Sequence, residues 1–197
     1  SYEETEEDFV PWVPEFMKEK QEETYTGASR GTAYHRVMEC LDYTKVDEPD
    51  QIRRQLRQMT DEKKLTYKEA ESVRVKDIWT FVESPLGQRM KNAFQNGSLK
   101  REQPFVIARR AEELDPKWQA DESILVQGIM DAWFMEGEDI VLADYKTDYV
   151  KPDQENMLAE KYRGQLEDYA GALERMTGRK VKERYIYSFC LGKEILL

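Results

Sequence analysis

The most constraining stretch of this chain runs from Gln127-Gly128-Ile129-Met130-Asp131 to Asp144-Tyr145-Lys146-Thr147-Asp148. Two runs, 124–136 and 139–145, are rich in β-branched and aromatic residues and flank Glu136-Gly137-Glu138-Asp139. Glycine at the first central position is what a two-residue type II′ turn requires, so the stretch predicts a β-hairpin. In that register Glu136 faces Asp139 and, counting back along both strands, Asp131 faces Asp144. Residues directly opposed in this way hold their Cβ atoms roughly 4.5–5.5 Å apart. Two carboxylates that close repel each other, and beside a buried sheet a cation between them relieves the cost. Lys146, two positions beyond Asp144, projects from the same face of its strand. Two acids and a lysine inside an apolar hairpin outline a metal-dependent active site. A simple ion pair at the strand rim, without chemistry, fits the hairpin equally well.

Composition narrows the setting. A chain of 197 residues, 40% hydrophobic and 36% charged, suits one large helix-rich domain with a substantial core. No apolar run reaches the roughly 18 residues of a membrane span, and no signal-peptide pattern opens the chain, so a reducing bacterial cytoplasm without membrane attachment is expected. The two cysteines, Cys40 and Cys190, have no metal-binding spacing. An iron–sulfur cluster needs about four, so none is expected. The net charge of −10 is unevenly spread: residues 1–24 hold nine acids against Lys18 and Lys20, and the rest of the chain is close to neutral. Charge neither supports nor excludes nucleic acid.

In chain order, residues 1–27 read as an acidic, solvated tether with a few apolar anchors (Phe9, Trp12, Val13, Phe16), following an upstream region; residues 28–197 read as the folded domain. Ser29 is a candidate N-cap for a helix running to about Leu41, which carries His35, the sole histidine. Helices are expected over 47–59 and 66–94, the latter broken at Ser84-Pro85. Asn96-Gly97-Ser98 reads as a turn, 100–110 as a strand, and 111–122 as a polar connection into the hairpin. An amphipathic helix over 158–176 ends at Thr177-Gly178, and a strand at 181–189 precedes a short edge at 195–197. The order of elements predicts an α/β fold, a mixed sheet flanked by helices with a helical region in front.

Five pieces in this order carry a resemblance. They are Gly31-Thr32-Ala33-Tyr34-His35 on the first helix, Glu102-Gln103-Pro104-Phe105, Gly128-Ile129-Met130-Asp131, Asp144-Tyr145-Lys146-Thr147-Asp148, and Gln165-Leu166-Glu167-Asp168-Tyr169. Together they resemble the G-x-x-x-H, E-x-P-F, G-x-x-D, D-Y-K-T-D and Q-x-x-x-Y motifs of the RecB-type branch of the PD-(D/E)XK nuclease superfamily. The pattern is most like the C-terminal nuclease domains of AddAB-type helicase–nucleases. The resemblance covers residues 29 to about 190 and implies a restriction-endonuclease-like core acting on DNA, single-stranded or at duplex ends. It also implies helicase domains upstream on a longer polypeptide and a partner of the AddB type. No Walker A sequence is present, so a motor would lie outside these residues. Two alternatives stay open: a stand-alone or phage-type nuclease of the same branch, and a catalytically degenerate module that guides DNA or serves for docking.

Phosphodiester hydrolysis needs a nucleophile, neutralisation of charge on the phosphate and help for the leaving 3′ oxygen, and a divalent ion serves all three. The resemblance implies Asp131 and Asp144 as anionic ligands, His35 as a nitrogen ligand and the Tyr145 backbone carbonyl as a further oxygen. Mg²⁺ is the expected ion, and the imidazole makes Mn²⁺ a good substitute. Lys146 is expected to orient or help deprotonate the attacking water and to neutralise the phosphate. Glu102 is a candidate for a second ion or a water, or else a strand-edge acid. Gln165 and Tyr169, at i and i+4, point the same way from their helix and are expected to contact the nucleic-acid backbone or support the metal site. Tyr162 and Arg163, one turn earlier, are candidate phosphate contacts.

Overall fold

The computed structural model describes residues 25–110 and 123–197. Residues 1–24 of the expected tether and the connection over 111–122 lie outside the described residues. Five helices come first: α1 (Tyr25–Cys40), α2 (Pro49–Asp61), α3 (Tyr67–Ser72), α4 (Val75–Glu83) and α5 (Pro85–Gln95). Strands β1 (Lys100–Arg110), β2 (Ser123–Glu136) and β3 (Asp139–Lys146) follow. The long helix α6 (Glu155–Thr177) then leads to β4 (Val181–Ser188) and β5 (Lys193–Leu196).

Two helix starts differ from expectation. Helix α1 begins at Tyr25, so Ser29 lies inside it rather than capping it. The expected 66–94 segment is three helices, not two. Thr66 caps α3 through a reciprocal capping box with Glu69, as its spacing allows. The unexpected break falls at Val73 and Arg74, where the Arg74 amide donates to the Tyr34 hydroxyl at 3.2 Å. That bond comes from a residue forty positions away, and no local breaker marks it. The break at Ser84-Pro85 is where the proline puts it: Ser84 accepts from the Gly87 amide at 3.0 Å and Pro85 takes the first helical position.

The sheet has five strands in the order β1-β2-β3-β4-β5. All neighbours are antiparallel except β3 and β4, which run parallel because α6 carries the chain back across the sheet. Strand β3 is central and almost wholly buried, which its near-continuous apolar sequence anticipates. One face packs on α1–α5 through Ala132, Phe134, Val141, Ala143 and Tyr145, against Tyr34, Met38, Leu41 and Phe81. The other packs on α6 through Phe105, Met130, Trp133, Ile140 and Leu142, against Leu166, Tyr169 and Leu173. The result is a three-layer α/β arrangement with the C-terminal end of β3 between two helical layers, the end of a parallel strand where open α/β sheets place their sites. No described helix is long and apolar enough to cross a membrane.

Candidate active site

The hairpin turn forms as its glycine dictates. Gly137 has φ of 64° while Glu138 keeps negative φ, the type II′ pattern, and Glu136 pairs with Asp139. The ladder holds this register back to Ala132 opposite Ala143. It stops there, and Asp131 and Asp144 form no ladder pair, which corrects the direct opposition expected from the turn. The cause is visible on β2 and β1 together. Met130 packs on the α6 side and Ala132, two positions on, packs on the α1 side, so strict alternation fails at Asp131. Across the ladder, Glu102 is missing from the pairing between Arg101–Ala132 and Gln103–Met130, and it adopts φ of 50°. A non-glycine residue in that region costs about 1–3 kcal/mol, and such strain is held only where the surroundings impose it.

The inversion leaves the Asp131 carboxylate buried and aimed at the next strand. Its Oδ2 accepts the Tyr145 amide at 2.8 Å, doing for β3 what a ladder carbonyl would have done. Asp144, 1% exposed, projects beside it from β3. Burial pushes the Asp144 carboxyl upward, Lys146 opposes that rise, and the neighbouring Asp131 charge adds to it. The two acids are therefore electrostatic neighbours although they are not a ladder pair.

Lys146, also buried, closes the strand. Its Nζ lies 2.7 Å from Asp144 Oδ2 and donates to Gln165 Oε1 at 3.0 Å. The approach to Asp144 has the distance of an ion pair without hydrogen-bond angles, so Asp144 Oδ2 remains a buried oxygen with no aligned donor among the described residues. Phe189 donates its amide to the Lys146 carbonyl at 3.0 Å, so β4 fixes the backbone from which the side chain springs.

His35 reaches the same place from α1. Its Nε2 is 3.0 Å from Asp131 Oδ2, and its Nδ1 is 2.9 Å from the Gly31 carbonyl one turn earlier. Two acceptors around one ring call for a proton on each nitrogen. Burial works against that charge, but the charge of Asp131 and its hydrogen bond, the Gly31 carbonyl and Asp144 outweigh it and raise the His35 pKa to about 9. A cation arriving at Nε2 would find a ring already oriented through Nδ1. Gly31 itself sits against Thr147, whose Oγ1 would lie 3.2 Å from an added Cβ, so the first and fourth motifs pack together. The third and second do likewise: a Cβ on Gly128 would lie 2.7 Å from the Phe105 ring.

Helix α6 supplies the remaining groups. Gln165 and Tyr169 are both buried, and Gln165 Nε2 donates to the Tyr169 hydroxyl at 2.7 Å while its Oε1 holds Lys146. Of the two roles expected for them, this placement supports the second, bracing the site. Burial, with the nearby Asp144 and Asp131 charges, raises the Tyr169 phenol far above its ordinary range, so it stays protonated. Tyr162, one turn earlier, is also buried, and its ring centroid lies 3.9 Å from Lys146 Nζ. The Tyr162 hydroxyl donates to Asp148 Oδ1 at 2.9 Å, an oxygen that Lys161 Nζ also approaches at 3.2 Å. Arg163 points elsewhere on the helix and pairs with Glu160 at 2.9 Å. Sequence reasoning gave Asp148 no role, although it closes the D-Y-K-T-D motif two residues after Lys146.

Among the described residues no three His, Cys, Asp or Glu side chains stand together as a ready-made metal cluster. His35 and Asp131 are bonded to each other, and Lys146 sits against Asp144. The donor chemistry nevertheless fits a hard divalent cation: two carboxylates, an imidazole held by its far nitrogen, and the backbone of Tyr145 between them. The buried Asp144 oxygen without an aligned donor, beside a second carboxylate, is the feature a cation would satisfy.

The comparisons with known proteins agree with this arrangement. The chain is 40% identical over 99% of its length to the A-type polypeptide of an ATP-dependent helicase/nuclease from Clostridium perfringens. It is 40% identical over 95% of its length to the protein of that name in Syntrophomonas wolfei, and 41% identical over 94% to that of Acetivibrio thermocellus. It spans only about 16% of the length of the Clostridium perfringens relative. The family profile of the PD-(D/E)XK nuclease superfamily matches residues 9–193. With its five motifs brought together around the end of β3, the chain belongs to the PD-(D/E)XK nuclease superfamily.

Proposed function

We propose that this chain is the nuclease domain of an AddA-type helicase–nuclease, a Mg²⁺-dependent deoxyribonuclease that hydrolyses phosphodiester bonds at DNA ends during recombinational repair of double-strand breaks. It acts in the bacterial cytoplasm, with helicase domains on the longer polypeptide and a partner of the AddB type. The observation that carries the reading is the buried set Asp131, Asp144, Lys146 and His35, drawn from three elements to the end of β3. A structural ion pair needs neither the second acid nor the histidine. The relatives' name and the short share of their length support the larger assembly.

In this reading Asp131 and Asp144 hold the cation, with His35 Nε2 and the Tyr145 carbonyl completing the protein ligands. The bound ion supplies charge neutralisation at the phosphate and lowers the pKa of water at the site. Lys146, braced by Gln165, turns an N–H toward the scissile phosphate and the attacking water, and its charge is strengthened by the buried surroundings. Glu102, opposite Asp131 where the ladder is interrupted, orients a water or a second ion. The test is to incubate the protein with labelled single-stranded and duplex DNA in Mg²⁺, Mn²⁺ or EDTA, without ATP. Cleavage in either metal and none in EDTA is expected. Activity undiminished in EDTA, or dependent on ATP, would overturn the proposal.

A further inference from the structure

The four-carbon stem of Lys146 is the least determined part of the site. Its backbone is fixed by β4, but an ammonium on a flexible chain must be placed by what surrounds it. Two of its neighbours are polar, Asp144 and Gln165. The third is the face of Tyr162, whose centroid lies 3.9 Å from Nζ, well inside the roughly 6 Å reach of a cation–π contact. Tyr162 is 7% exposed, as is Lys146, so the contact is shielded from water. A buried phenol needs a partner for its hydroxyl, and Asp148 provides it at 2.9 Å. Asp148 follows Lys146 on the same strand exit, so one short segment carries both the lysine and the anchor of the ring that seats it.

We infer that Tyr162 is a positioning residue for Lys146, its ring held in place by Asp148 and its π-face fixing where the ammonium stands. The inference rests on the proposed role of Lys146 in DNA cleavage and adds a residue to it. The ring, not the hydroxyl, does the positioning; the hydroxyl sets the ring. A direct phosphate contact, the role its sequence position suggested, would instead require the hydroxyl to face the DNA, and here it faces Asp148.

The test compares Tyr162→Leu, Tyr162→Phe, Asp148→Ala and Lys146→Ala in the intact chain, with kcat and KM on a single-stranded oligonucleotide and Mn²⁺ binding by calorimetry. Tyr162→Leu is expected to lower kcat by about 10- to 100-fold, the scale of a misplaced catalytic group. Its KM and Mn²⁺ affinity should stay within about twofold, since substrate and metal contacts are kept. Tyr162→Phe, which keeps the ring, should retain kcat within about threefold. Equal losses in Phe and Leu, or a rise in KM alone, would overturn the inference, the latter in favour of a phosphate contact. Should Tyr162→Leu fail to fold, Asp148→Ala decides: a lower kcat at unchanged KM supports the inference and an unchanged kcat overturns it. Full activity in Lys146→Ala removes the role of the lysine itself, whereas an inactive Lys146→Ala beside a fully active Tyr162→Leu overturns only the positioning.

Discussion

His35 Nε2 stands 3.0 Å from Asp131 Oδ2, a bond that ties α1 to β2 across 96 positions of chain and closes the site from the helical side. Both nitrogens of the ring face acceptors, so the metal-free protein keeps His35 protonated to about pH 9.

As a metal ligand, His35 must give up that proton. Metal binding is therefore expected to release a proton below about pH 9, and affinity should rise with pH between roughly 6.5 and 9. Calorimetry in buffers of different ionisation enthalpy measures the release. The folding contribution has the opposite trend: the raised pKa stabilises the metal-free fold fully below about 6.5 and less as pH climbs through about 9. Proton release that is the same in His35→Ala would remove His35 from the ligand set.

Asp144 and Lys146 should separate into different defects. Asp144→Asn removes an anionic ligand and is expected to lose metal binding and cleavage together. Lys146→Ala is expected to lose cleavage but keep Mn²⁺ affinity within about tenfold, because it takes away no ligand. It also leaves a buried acid without its cation, so the metal-free variant should lose roughly 1–3 kcal/mol of stability, partly restored by Mg²⁺. Denaturant titrations with and without metal read this directly. A lysine variant as blind to metal as the aspartate variant would contradict the assignment.

Two glycines should respond very differently to alanine. A Cβ on Gly87 would stand 1.9 Å from the Phe81 carbonyl oxygen, backbone that cannot swing aside, and would break the Ser84 cap. We expect a loss on the order of 3 kcal/mol. Gly137 has open space around it and pays only for its left-handed backbone, so about 1 kcal/mol is expected. Urea unfolding midpoints that rank the two the other way would refute this account of the α4–α5 junction.

Arg89 should govern acid stability. It binds Glu136 through two nitrogens at 2.7 and 2.8 Å, reaches Glu183 at 2.7 Å, and lies over the Phe134 and Tyr185 rings. That hydrogen bonding holds the Glu136 carboxyl down at about 2, against burial. A depressed acid stabilises the fold fully above its ordinary 4.5 and ceases to as pH falls toward 2, so acid unfolding should draw on this pair. Arg89→Ala is expected to cost about 1–2 kcal/mol at neutral pH, discounted for partial exposure. It should also flatten the stability loss between pH 4.5 and 2. An unchanged acid profile would show that the pair is a surface ornament.

Much of this protein follows from local rules. The turn at Gly137, the alternating runs on either side, the proline break before α5 and the left-handed Gly178 that ends α6 are all dictated by backbone sterics and periodicity within a few residues. The five motifs marked which residues would meet, because each carries a group whose chemistry is costly unless it is used. Tertiary structure decided the rest. The inversion at Asp131 and Glu102 has no local signal, since it arises where two strands meet different helical layers on their two faces. The break before α4 depends on a hydroxyl delivered by α1. The seat of Lys146 exists only because α6 crosses the end of β3 with Gln165 and Tyr162 on the facing stripe. Spacing along a helix says which side chains share a face; what that face meets is set by how the layers stack.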